Sequence, residues 1–288
     1  MNAAALLRWY VPRRRAYPWR GAGAWGVLVS EVMLQQTQAE RVRSHYERFL
    51  AAFPTPASLA AEPVGHAIRS WAGLGYNRRA VNLHRAASAI VARHGGRVPR
   101  DPKELRTLPG VGPYTAAAVA CFAFGAPVPV VDTNIRRVIA RHRLGVEPRE
   151  AGDRDVAAAA AEALPATEAP AWSQALMDLA REVCRSRPRC EACPIAAGCA
   201  YRLSGRAPAR APNGRGQPAF EGSVRQARGR AVALLRARGS ASLSAVAEVS
   251  RMDLSSASRL VRALEADGLC VGSAAALAGR ARGRVRLP

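Results

Sequence analysis

Four cysteines, Cys184, Cys190, Cys193 and Cys199, fall within sixteen residues in a C-x5-C-x2-C-x5-C spacing, while Cys121 and Cys270 stand apart. In a chain of cytosolic character, close thiols around a central C-x2-C argue for a metal rather than disulfides. Four thiolates can hold either structural zinc or a [4Fe–4S] cluster, and spacing alone leaves both open. Arg185, Arg187 and Arg189 lie between the first two cysteines. They bring positive charge beside the site, which suits a loop resting on a polyanion.

A second piece of chemistry sits in Leu108-Pro109-Gly110-Val111-Gly112-Pro113-Tyr114-Thr115. Gly110 and Gly112 permit positive φ and close backbone approach in a tight turn. Pro113 suits the first position of a helix. The N–H groups of the turn and of that helix start then form an anion site. With Leu105 upstream and the apolar Ala116–Phe124 run downstream, the pattern is a helix-hairpin-helix, expected to grip a DNA backbone. The net charge of +22 points the same way, with 43 Lys and Arg of which Lys103 is the single lysine. A strongly cationic chain meets polyanions at raised on-rates and holds phosphates by counterion release.

These residues need a scaffold. The chain has 288 residues, 49% of them hydrophobic, enough for a core of roughly 200 residues and a smaller appendage. Apolar periodicity predicts helices over Ala24–Ala52, Arg79–His94, Thr115–Phe124, Asn134–Arg143, Asp155–Leu164 and Trp172–Cys184, separated by Pro- and Gly-rich punctuation. Strand-like alternation is scarce, so the fold class is mainly α. Ser204–Gly222 is rich in Gly, Pro, Ala and Arg and reads as a linker. Beyond it, helices over Val224–Ala237 and Ser255–Ala266 with Leu243–Val249 between them, then a hairpin ending in Arg284–Leu287, suggest a winged helix. No run of about 20 apolar residues exists, and Met1–Arg8 carries no signal-cleavage pattern; a cytoplasmic protein without a membrane span is expected.

Taken together, the hairpin, Asp132 twenty residues after Gly112, and the cysteine cluster resemble the helix-hairpin-helix DNA glycosylases typified by endonuclease III. Ser30-Glu31-Val32-Met33-Leu34-Gln35-Gln36-Thr37-Gln38 is similar to the signature of the MutY-type, adenine-specific branch. So are Trp71-Ala72-Gly73-Leu74-Gly75-Tyr76, Asn82-Leu83-His84 and Gln174-Ala175-Leu176-Met177-Asp178-Leu179. The resemblance spans about Arg15 to Tyr201.

The resemblance implies a role for each matching residue. Glu31 is the catalytic acid that protonates adenine N7, then the base for the incoming water. Val27, Leu28 and Leu34, one turn away on the same helix, would desolvate it and hold its proton near neutral pH. Asp132 would stabilise the oxocarbenium-like sugar, besides being a natural N-cap, and Asn134 would support the reacting centre. Bifunctional relatives carry a lysine nucleophile where this chain has Tyr114, so strand cleavage lacks its amine. Gln35, Gln36 and Tyr76, with Thr37, Leu74 and Gly75 of the same motifs, would insert into the duplex and contact the base opposite the extruded adenine. Arg15, Trp19 and Arg20 would lie near the adenine pocket; a core tryptophan with surface arginines is the other reading.

The implied architecture is two-lobed. Residues 1–204 form the core, a six-helix lobe over about 24–130 and a cluster lobe from the N-terminal segment plus 131–204. Residues 205–222 are a linker and 223–288 a small winged-helix-like unit. The resemblance favours [4Fe–4S] over zinc, although the family spacing is C-x6-C-x2-C-x5-C and this chain has one residue fewer after Cys184. The expected partner is double-stranded DNA with A:8-oxoguanine or A:G mispairs, bound by a monomer. The segment after Gly222 is too short for the Nudix-related domain of many relatives; it is expected to add DNA affinity rather than to read the lesion. The rivals are a thymine or uracil mismatch glycosylase of the same superfamily and a non-catalytic iron–sulfur DNA-binding regulator.

Overall fold

The computed structural model describes residues 1–207 and 219–288, so most of the expected linker lies outside the described residues. The chain is mainly α. Its helices are α1 (Ala3–Tyr10), α2 (Ala24–Leu34), α3 (Ala39–Ala52), α4 (Pro56–Ala60), α5 (Val64–Ser70), α6 (Arg78–His94), α7 (Pro102–Leu105) and α8 (Pro113–Phe124). They continue as α9 (Thr133–Ile139), α10 (Asp153–Ala163), α11 (Ala169–Glu182), α12 (Ala200–Leu203), α13 (Val224–Arg238), α14 (Leu243–Ser250), α15 (Leu254–Ala266) and α16 (Ala274–Leu277). Many begin at a side chain that satisfies the free N–H groups of the first turn: Asn2, Thr55, Asp101, Asp132, Ser223, Ser242, Asp253 and Ser273. Among the described residues, no helix is long and apolar enough to cross a membrane.

Two expectations are corrected. A single helix over Ala24–Ala52 is in fact α2 and α3, broken at Gln35–Gln38. Gln36 takes φ 54°, and the carbonyls of Val32, Met33 and Gln35 turn to the Arg79 guanidinium instead of continuing the helical ladder. The other concerns Gly112, whose φ of −86° is ordinary extended backbone; only Gly110, at φ 79°, needs a glycine's freedom in that turn. A Cβ at Gly110 would also stand 2.7 Å from Cβ of Asn82.

Contacts divide the chain into two compact units. The first contains Met1–Glu31, Arg100–Thr107 and the chain from Val111 to residue 207. Its core packs Leu6 and Tyr10 of α1 with Ile135, Val138 and Ile139 of α9 and Trp172, Leu176 and Leu179 of α11. The last turn of α9 widens into a π-helical stretch at Ala140–Leu144, where Arg141 and His142 are both buried.

The second unit contains Val32–Pro99, Leu108–Gly110 and residues 219–288. Here α13, α14 and α15 combine with a three-stranded antiparallel sheet of β1 (Ser240–Ser242), β2 (Val271–Gly272) and β3 (Arg284–Arg286), ordered β1-β3-β2. β1 is unanticipated: Ser-Ala-Ser has no strand signature and forms because Arg284–Arg286 lies beside it in register. This C-terminal part shares one apolar cluster with α5 and α6. Ile68 and Val81 pack with Leu235, Val246, Leu264, Leu269 and Val285. Arg236 donates to the Ile68 carbonyl at 2.9 Å and to Asn77 Oδ1, and Gly65 N–H donates to the Pro288 carbonyl at 3.2 Å.

Candidate active site

α2 is hydrophobic along most of its length, and Glu31 is carried inward by it to 5% exposure. Burial, with Asp132 nearby, pushes its carboxyl up to about 7, against a smaller opposing pull from its hydrogen bond with the Tyr114 hydroxyl. Oε2 of Glu31 has no hydrogen-bond partner. A buried carboxyl oxygen left open costs free energy, and such groups concentrate where a ligand supplies the missing partner. Tyr114, in the first turn of α8, has its hydroxyl held neutral by the same burial and by the two carboxyls beside it.

Asp132 caps α9. Its Oδ1 accepts from the backbone N–H groups of Asn134 at 2.9 Å and Ile135 at 2.7 Å, and its Oδ2 accepts from Asn134 Nδ2 at 2.8 Å. These hydrogen bonds fix the carboxylate's orientation. Asn134 is itself oriented by Arg137, which donates to Asn134 Oδ1 at 3.2 Å and to the carbonyls of Ala180 and Cys184. The structure thus brings Glu31, Tyr114, Asp132 and Asn134 into one group.

In the same unit, Trp19 is buried and stacks on Tyr17 at 4.7 Å. Arg15 is exposed and reaches the Tyr17 hydroxyl at 3.3 Å. Arg20 lies over the Tyr10 and Tyr17 rings and pairs with the buried Asp178 at 3.2 Å; Arg181 donates to the other oxygen at 2.9 Å. The spacing of the Gln174–Leu179 motif gave no hint of this ion triad.

Cys184, Cys190, Cys193 and Cys199 all line one cavity, together with Arg141 and Tyr201. Arg141 is the organiser: it binds both oxygens of the buried Glu147 at 3.0 Å, reaches the carbonyls of Arg185 and Ser186, and sits 3.7 Å from Cys184 Sγ. Burial pushes the Cys184 thiol up and the Cys193 thiol to about 11. Among the described residues the four sulfurs do not close into a ligand shell. Their chemistry and common cavity nonetheless fit a four-thiolate group such as [4Fe–4S] or zinc.

The second unit holds the remaining motif residues. Arg79, 7% exposed, gathers two loops at once. It donates to the carbonyls of Val32, Met33 and Gln35 and to Thr37 Oγ1 on one side, and to the carbonyls of Leu74 and Gly75 on the other. Tyr76 stands at the tip of the second loop, at φ 45° and 49% exposed. Gln35, Gln36, Thr37, Leu74, Gly75 and Tyr76 line one cleft. Arg79, Arg137 and Arg141 escaped the reading of the sequence, since one arginine among dozens carries no signal of burial.

Residues 29–165 match the family described as HhH-GPD superfamily base excision DNA repair protein. The chain is 45% identical over 239 residues to an adenine DNA glycosylase of Mycolicibacterium smegmatis, covering 82% of this chain and 80% of that one. It is 47% identical over 238 residues to the adenine DNA glycosylase of Mycobacterium tuberculosis, covering 81% and 77%. Among solved structures, a thermostable thymine-DNA glycosylase superposes with a TM-score of 0.66 at 30% identity, covering 70% of this chain and 95% of its own.

Proposed function

This chain belongs to the adenine DNA glycosylases of the HhH-GPD superfamily, and from that premise we propose that it hydrolyses the N-glycosidic bond of adenine mispaired with 8-oxoguanine or guanine in duplex DNA, without cleaving the strand. One observation carries the reading: a buried carboxyl at the neutral-pH boundary, with an open oxygen, beside Tyr114 and a fixed Asp132. Extruding the adenine from the stack brings N7 to that oxygen. Glu31 gives its proton to N7, the C1′–N9 bond breaks with its electrons passing to the base, and cationic charge develops on the sugar. The Asp132 carboxylate opposes that charge electrostatically. Water adds at C1′ and returns a proton to Glu31.

Tyr114 supports a monofunctional reaction, because no amine stands in the group; Lys103 is exposed at the surface of α7. The N-terminus of α8 and the Gly110 turn supply N–H groups for a DNA phosphate. Cys184, Cys190, Cys193 and Cys199 would hold a [4Fe–4S] cluster, which would cross-link their loop when bound. The enzyme would act on chromosomal DNA in the cytoplasm.

Single-turnover base release from A:8-oxoguanine, A:G, T:G and U:G duplexes, each with and without alkali, tests this. Adenine release with strand breaks only after alkali is expected, and Glu31→Gln should abolish it. Release of thymine in preference to adenine would favour the rival mismatch activity. Undiminished abasic-site formation by Glu31→Gln would leave the mechanism without its acid.

A further inference from the structure

In the C-terminal part, α13, β1, α14, α15, β2 and β3 follow in chain order around a β1-β3-β2 sheet, an arrangement shared with winged-helix folds. Residues 251–253 join α14 to α15 in a tight turn, with Arg251 at φ 55°. The pair is a helix-turn-helix, and α15 occupies the place of the groove-facing helix. One face of α15 packs Ala257, Leu260, Val261 and Leu264 into the apolar cluster. The opposite face leaves Ser255, Arg259 and Arg262 exposed.

The wing is fixed against that exposed face. The Leu277 carbonyl of α16 accepts from Ser258 Oγ at 2.8 Å and from Arg262 Nε at 3.2 Å. Leu243 and Ser244, at the start of α14, donate their N–H groups to the carbonyls of Gly283 and Ala281 at 2.8 and 3.0 Å. Gly283 lies so close to α16 that a Cβ would stand 2.2 Å from the Ala276 nitrogen. Arg280 and Arg282, between α16 and β3, are both exposed.

No carboxylate is left to neutralise this ridge. Residues 268–288 contain four arginines and no Asp or Glu. Arg259 donates to the hydroxyls of Ser255 and Ser256 at 3.1 and 2.9 Å, which position its guanidinium without cancelling its charge. The neighbouring acids are engaged elsewhere: Asp253 caps α15, Glu265 accepts from the Gly272 N–H, and Asp267 pairs with Arg78 and Arg228. Exposed, uncompensated guanidiniums on a helix and its wing suit the phosphates of a duplex.

The ridge also turns away from the cleft of the second unit. That cleft is lined by Tyr76 and, from the C-terminal part, by Phe220, Arg225, Leu264 and Asp267. At about 100° per residue, Arg262 points roughly 160° round α15 from Leu264, and Arg259 roughly 140°. A duplex seated on Gln36 and Tyr76 therefore leaves the ridge open to a different segment.

We propose that α15 and the wing form a second duplex-binding surface, which grips the phosphates of a further DNA segment while the first is held at the mispair. The inference rests on the adenine glycosylase reading for the first duplex, and adds to it a direct hand-off between segments. Phosphate contacts carry no sequence information, so the second segment is undamaged DNA of any sequence.

The test holds full-length protein on beads through a duplex with cleavage-resistant 2′-fluoro-adenosine opposite guanine. A fluorescent, undamaged duplex of unrelated sequence is then added at low salt, and its retention is measured. The wild type should retain it. The combined Arg259→Ala, Arg262→Ala, Arg280→Ala and Arg282→Ala variant should retain at least about tenfold less, with an unchanged melting temperature because all four side chains are exposed. Lysine at the same four positions keeps the charge and should restore retention. Arg43→Ala, Arg48→Ala, Arg93→Ala and Arg154→Ala together remove equal charge from exposed positions elsewhere and should leave retention intact. No retention by the wild type, equal loss in both alanine variants, or retention that survives in the ridge variant would overturn the proposal. Preferential retention of single-stranded RNA would overturn the assignment to duplex DNA. Failure of the wild type to release adenine from a cleavable duplex would sink the glycosylase reading alone, since retention can be measured with undamaged duplex on the beads.

Discussion

In the proposed mechanism one buried carboxyl, Glu31, would set both activity and stability. Burial pushes its carboxyl up to about 7, so the proton it would donate to adenine is present below that pH and absent above. Single-turnover adenine release should therefore be flat below that value and fall about tenfold per pH unit above it. Stability follows the same group with a definite sign. Its folded pKa of about 7 lies above the ordinary 4.5, so its stability contribution is whole below 4.5 and lost as pH rises through 7. Glu31→Gln escapes that loss, and at pH 8 it should be more stable than the wild type by roughly 3 kcal/mol, the gap closing toward pH 4.5. Urea denaturation at both pH values measures it; a gap independent of pH would mean that burial does not perturb this carboxyl.

Among elements, the loops around Arg79 carry the clearest consequence. Seven acceptors converge on one guanidinium whose pKa burial lowers to about 10. Lysine keeps the charge but has three donors on a point-like head and cannot span both loops. Arg79→Lys should cost about 2–4 kcal/mol in thermal or urea unfolding, through buried carbonyls left without donors. It should also slow adenine release, because Gln36 and Tyr76 lose the support that holds their strained backbone. A variant with normal stability and rate would show that the loops hold themselves.

Across the whole molecule, charge and the cysteine loop dominate. With a net charge of +22, DNA binding should weaken on the order of a thousandfold between 50 and 200 mM salt, given roughly six phosphate contacts. A shallow salt slope in a fluorescence-anisotropy titration would mean that most arginines never meet the backbone. The thiols around Arg141 predict a second outcome. Anaerobically purified protein should be brown and carry about four irons per chain, and stripping them should lower the melting temperature. Stoichiometric zinc in place of iron would reassign the centre, as the short C-x5-C spacing after Cys184 leaves chemically open.

The candidate site residues stand out in the sequence because they sit in local patterns: Glu31 among Val27, Leu28 and Leu34, the glycine turn before Pro113, four cysteines in one short run. Local pattern also determined the helices, since apolar periodicity reports a helix face without knowing its neighbour. The break between α2 and α3 was hidden because that periodicity runs straight through it; only a guanidinium forty-four residues away draws Gln35's carbonyl out of the ladder. Arg20 with Asp178, Arg137 with Asn134 and Arg141 with Glu147 were invisible for the same reason. An arginine's burial is set by what packs around it, and charge count cannot distinguish a solvated side chain from one that organises a site. Nor could sequence place Phe220 opposite Tyr76. Residues 144 positions apart share a cleft only because an apolar cluster around Ile68 and Val81 seats the C-terminal helices there.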